Sequence, residues 1–159
     1  MGCRKSEVDK DTQSSVDFSV AEAGYSGVLP VMNQIGIDED GVNKGASCAT
    51  ITWVNPTDTI GTNNWPITII VDYGPVGCLD YDGKFKQGSF TAVFHDRFAN
   101  QGAMIDITLN DYKVNTVEYH GSITLKNNGS HSYSSTVANG QVVLSDGKTI
   151  LYDGTSTLT

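Results

Sequence analysis

The sequence has no long apolar run. None of its stretches approaches the roughly 18 to 20 residues that a membrane-spanning helix needs, and only 38% of its 159 residues are hydrophobic. Positive charge is also scarce. Ten Lys and Arg stand against 18 Asp and Glu, a formal net charge of −8, which argues against nucleic acid as a partner and against adsorption to anionic lipid by charge alone. The three cysteines form no Cys-x-x-Cys pair, and His95, His120 and His131 hold no recurring spacing to them, so no metal site is expected. Neither a G-x-G-x-x-G nor a phosphate loop occurs, and no nucleotide or other cofactor is expected. Without a G-x-S-x-G or a reactive-Cys context, His95-Asp96-Arg97 has no nucleophile to serve. The length suits one domain, and nothing in the residues alone names a reaction.

What is abundant is turn chemistry. From residue 47 onward, short β-rich runs alternate with Gly, Asn and Asp, which predicts a mainly β, antiparallel sandwich or meander. Cys48 to Val54 puts Ala49, Ile51 and Trp53 on one face. Ile67 to Tyr73 does the same for Ile67, Ile69, Val71 and Tyr73, and Phe90, Ala92 and Phe94 share a face in a third run. A fourth run spans Met104 to Leu109, and a fifth spans Thr116 to Lys126 with a bulge or bend at Gly121. Asn128-Gly129, Asn139-Gly140, Asp146-Gly147 and Asp153-Gly154 read as hairpin turns of a tight meander, because both central residues of such turns need positive φ. The last run ends at Thr159 without a turn or polar tail, as expected of a fragment.

The first 45 residues differ. Residues 1–11 read as a flexible polar tether and residues 12–159 as one domain, whose segment 12–35 is helical. Val16, Val20 and Ala23, with Phe18 and Ala21, form a partial apolar stripe; Gly24, Gly27 and Pro30 interrupt it and leave Val28 to Ile35 at most a second short helix. The pair is expected to pack on the sheet. Gly36 to Ser47, with its Asp38-Glu39-Asp40-Gly41, reads as a solvated loop.

Cysteine positions separate two roles. Cys48 and Cys78 sit at strand ends and either bridge, for roughly 3 to 4 kcal/mol, or remain reduced core thiols. Cys3 stands alone in the tether. The start Cys3-Arg-Lys-Ser-Glu-Val-Asp-Lys-Asp resembles the mature beginning of a bacterial lipoprotein. Three body segments, Asp11 to Asp17, Val71 to Cys78 with Asp82-Gly83-Lys84, and Asp111 to Asn115, are similar to a family of secreted lipoproteins of Bacteroidetes. The resemblance covers nearly the whole chain. It implies lipidation at Cys3, attachment to the outer membrane or cell surface, and longer relatives; it implies no activity. No signal peptide precedes Cys3, so Met1-Gly2 would have to replace it.

Met1-Gly2-Cys3-Arg4-Lys5-Ser6 also fits the N-myristoylation pattern, which would instead make a cytosolic adaptor. In the lipoprotein reading, Asp58-Thr59-Ile60 looks like a Bacteroidetes O-glycosylation site at Thr59. The densest polar group is Asp72, Asp80, Tyr81, Asp82 and Lys84. Its Asp80-x-Asp82-Gly83 has the oxygens Ca²⁺ prefers but not the full loop, so a turn with self-satisfied carboxylates is the plainer reading. Paired carboxylates among Asp72, Asp96 and Glu118, with Trp53 or Trp65 to stack on a sugar, would suit a glycosidase.

The leading expectation is a non-enzymatic lipoprotein domain that meets an envelope protein or glycan. The alternative is a glycan-binding module or carbohydrate-active enzyme that uses Trp65, Asp80, Tyr81 and Asp82.

Overall fold

A computed structural model describes residues 10–35, 37–38, 41–42, 47–54 and 65–159, with side chains at 15–34, 47–54 and 65–159. Residues 1–9, with Cys3, and Thr59 lie outside the described residues, and the helix already includes Lys10 and Asp11, which were expected to belong to the tether. Helices α1 (Lys10–Ser26) and α2 (Val28–Ile35) precede β1 (Ile37–Asp38), β2 (Gly41–Val42), β3 (Thr50–Trp53), β4 (Ile67–Asp72), β5 (Cys78–Leu79), β6 (Phe85–Phe94), β7 (Met104–Val114), β8 (Val117–Gly129), β9 (Ser132–Val143) and β10 (Thr149–Leu158). The two-residue strands β1 and β2 pair within the stretch expected to be a plain loop. The other eight strands form one antiparallel sheet ordered β10-β9-β8-β7-β6-β4-β3, with β5 added to β6.

The expected alternation holds where the strands are short and regular. Ile67, Ile69, Val71 and Tyr73, then Phe90, Ala92 and Phe94, then Ile105, Ile107 and Leu109 all point into one core. Helical packing departs from expectation. Val16, Phe18 and Ala23 face solvent, and the buried line of α1 runs through Ala21, Gly24 and Tyr25. The cause is close approach: a Cβ on Gly24 would lie 1.9 Å from the Tyr119 ring, so the glycine sets which side of α1 meets the sheet. Tyr25 then stacks on Tyr152 and meets Tyr119 edge-on, both at 5.4 Å, and donates to the carbonyl of His120 at 2.7 Å.

The predicted turns also need correction. Asp146-Gly147 does turn the chain, but the β8–β9 turn falls on Ser130 and His131, two residues past Asn128-Gly129. Asn139-Gly140 and Asp153-Gly154 lie inside β9 and β10, and the four short strands expected after residue 132 are two long ones. The same chemistry serves bulges. Register shifts occur at Gly88, between Thr108 and Tyr112, at Gly121, and between Tyr152 and Gly154. Gly88 would press a Cβ onto the carbonyl of Asp111, Gly121 onto that of Asn139, and Gly140 onto that of Tyr152. A crease therefore crosses β6 to β10, each strand closing on its neighbour through a residue that lacks Cβ or takes positive φ. Helix α1 lies against β8, β9 and β10, and Lys148 of the β9–β10 turn pairs with Asp17 of the helix.

Candidate functional site

The Asp82-Gly83-Lys84 and Asp146-Gly147-Lys148 turns are built alike. In each, the Asp side chain accepts from the Lys N–H, and the residue two before the Asp exchanges backbone hydrogen bonds with the Gly and the Lys. What distinguishes the first turn is its neighbour Lys86, whose whole residue is 1% exposed.

Lys86 Nζ lies 2.8 Å from Asp80 Oδ2 and 3.1 Å from Asp82 Oδ2. Asp80 is itself buried, and its Oδ1 accepts from the backbone N–H of Cys48 at 3.2 Å and of Tyr81 at 3.0 Å. Tyr73 donates its hydroxyl to Oδ2 at 3.2 Å. The ammonium sits 5.6 Å from the Tyr73 ring centroid and 5.7 Å from that of Tyr81. Burial raises the Asp80 pKa, yet the hydrogen bonds from Lys86, Tyr81 and Cys48 and the Lys86 charge outweigh it and hold the carboxyl below its ordinary range. Burial lifts the Tyr73 hydroxyl well above its usual value, reinforced by Tyr112 and Asp80. The Cys48–Cys78 disulfide closes beside this group, and Cys78 is the ladder partner of Lys86. Asp80 thus ties the start of β3, the end of β4 and the β5–β6 hairpin to one point. Both carboxylates of Asp80-x-Asp82 meet a cation supplied by the chain.

The opposite face of the same end carries a groove of about 480 Å³ along the crease, with walls that include Asp72, Gln87, Ser89, Asn110, Asp111 and Glu118. Asp111 is left-handed at φ 49°, and Gly88 at φ 80° lets its carbonyl approach. Glu118 is committed to His120 at 2.7 Å and Lys113 at 3.5 Å. Asp72 caps the turn after β4 by accepting from the N–H of Gly74.

Two of the three candidate carboxylates, Asp72 and Glu118, therefore share one groove. Asp96 does not join them: it accepts from Arg97 and Asn100 in the loop after β6, at the other end of the sheet. Trp65 lies at that far end too, packed against the core just before β4, about 20 Å of strand away from Tyr73. Trp65 is thus separated from Asp80, Tyr81 and Asp82, which stand together, and Trp53 packs against the core.

His95 pairs with Asp106 at 2.7 Å, and Asp106 accepts from Thr124 at 2.9 Å. The carboxylate sits between the other two, whereas hydroxyl activation needs the imidazole in the middle. Sequence reasoning missed Lys86 and Tyr73 as partners of Asp80. A signal existed in the lysine at a core-facing position, two before Gly88. Among the described residues no group of three His, Cys, Asp or Glu is arranged to hold a metal, and no helix is long and apolar enough to cross a membrane. No family model matches the chain, and neither the curated proteins nor the solved structures contain a match to it.

Proposed function

We propose that the chain is a non-catalytic interaction domain displayed at a cell envelope and held to the outer membrane or cell surface by a lipid on Cys3. The observation that carries this reading is the Cys48–Cys78 disulfide, since such bonds persist in oxidising compartments and are rare in the cytosol. Acylation of Cys3 supplies membrane affinity, the polar residues after it supply reach, and the creased sheet is a rigid platform. The test is intact mass of the natively produced protein, with thiols alkylated before and after reduction. The proposal expects Cys48 and Cys78 to resist alkylation until reduced and Cys3 to carry a diacylglycerol-type lipid. Free alkylation of both, with myristate on Gly2, would make the protein a cytosolic adaptor and end the proposal.

The groove favours a second reading, in which the envelope ligand is a glycan. Gln87, Ser89, Asn110, Asp72 and Asp111 offer donors and acceptors across one open surface, the equipment that polyhydroxylated ligands require. Binding to a glycan array that is lost in Asp72→Ala and Asp111→Ala supports it. Binding that survives both changes but is lost in Trp65→Ala moves the site to the far end of the sheet.

A further inference from the structure

The buried cluster holds the parts of a condensation site, and we propose that Lys86 and Asp80 join through an intramolecular amide bond. Nucleophile and carboxyl are in contact at 2.8 Å, with side chains only 2% and 0% exposed. Exclusion of water penalises the ionic pair relative to a neutral amide and protects the product from hydrolysis. Oδ1 of Asp80 receives two backbone N–H groups, from Cys48 and Tyr81, which are the donors a tetrahedral adduct needs on its oxyanion. Oδ2, the oxygen that must leave, receives the Tyr73 hydroxyl. Asp82 touches the nucleophile from outside at 3.1 Å and is itself partly exposed, which suits a proton carrier.

The step balances within these residues. One proton of the Lys86 ammonium passes directly to Oδ2, leaving an amine beside a carboxylic acid. The amine attacks Cγ of Asp80 and loses a second proton to Asp82, which returns it to Oδ2. The Nζ–Cγ bond forms, the Cγ–Oδ2 bond breaks, and Oδ2 departs as water with both protons. Nζ keeps one hydrogen, Asp82 ends as it began, and nothing is oxidised or reduced. The product staples the β5–β6 hairpin across its turn, next to the disulfide.

The experiment is a mass and tryptic map of the reduced, alkylated wild-type chain. The amide predicts a mass lower by one water and loss of cleavage after Lys86, so that a peptide of residues 45–84 stays joined to one of residues 85–97. Asp82→Asn is expected to fold and oxidise normally, show the full mass and be cut after Lys86. Full wild-type mass with cleavage after Lys86 overturns the proposal. So does loss of water with that cleavage retained, which is the signature of a succinimide at Asp82-Gly83.

Discussion

Replacing Gly24 by Ala sets two known effects against each other, and the structure says which should win. In an exposed helix the change would stabilise by about 1 kcal/mol. Here the new Cβ would lie 1.9 Å from Cε1, 2.0 Å from Cζ and 2.4 Å from the hydroxyl of Tyr119, whereas carbon atoms pack at about 3.5 Å. Ring or helix must therefore shift by about 1.5 Å. The ring is not free to do so: it is buried, stands edge-on to Tyr25 at 5.4 Å, and donates its hydroxyl to the Val20 carbonyl at 3.2 Å. Overpacking costs about 1–3 kcal/mol and the hydrogen bond about 1 kcal/mol, so the net expectation is destabilisation by about 1–3 kcal/mol. Urea unfolding followed by tyrosine fluorescence and far-UV circular dichroism should show an earlier midpoint with an unchanged slope. Gly24→Ala combined with Tyr119→Leu should recover most of the loss, since the smaller side chain vacates the space. A midpoint equal to or above wild type for Gly24→Ala would refute the claim that this glycine sets the seating of the helix.

Joint replacement of Cys48 and Cys78 by Ser, which removes a link across a sequence separation of 30, should cost about 3–4 kcal/mol; a melting temperature insensitive to both the replacement and a reductant would contradict this. Tyr25, Tyr73 and Tyr112 have hydroxyl pKa values raised by burial well above the usual 10. That contribution is complete below the unfolded pKa and is lost as pH climbs past it, so phenolate absorbance from these three should appear only together with loss of folded structure. Titration of all seven tyrosines near pH 10 in a protein still folded would exclude it. Gly88→Ala, whose Cβ would lie 2.1 Å from the backbone oxygen of Asp111 at φ +80°, should destabilise by about 2–4 kcal/mol, with its largest chemical-shift changes at Asp111 and Asn110; a neutral result would mean that the crease is soft.

How much of this was legible in the sequence depended on how local the cause was. Period-two alternation placed Ile69, Phe90 and Ile107 correctly because each strand's own pattern decides its buried face. The helical stripe failed because the partner decided it: Val16 and Ala23 are apolar, yet the contact forms where Gly24 admits Tyr119, a residue 95 positions away. Asn139-Gly140 and Asp153-Gly154 were misread for a related reason. Asn139 does take the positive φ of a turn, at 55°, and uses it within a strand; Asp153 and Gly154 do not, and at both places the neighbouring strand's register decides the outcome. Gly121, within a longer apolar pattern, gave the bulge away.

The site was half legible on the same terms. Asp80 and Asp82 drew attention as oxygens in search of a cation, and the spacing was a real signal. Where that cation comes from is a matter of strand pairing. Lys86 stands opposite Cys78 across the hairpin, so its side chain turns to the core face, where an unpaired ammonium would be costly and two carboxylates offset it. The same pairing directs Asp80 Oδ1 to the N–H of Cys48, beside the bond that holds Cys48 to Cys78. An acidic turn that on paper invites a metal is thereby filled by the chain. The groove between Asp72 and Glu118 on the other face stays open, and its walls keep their polar groups within reach of solvent.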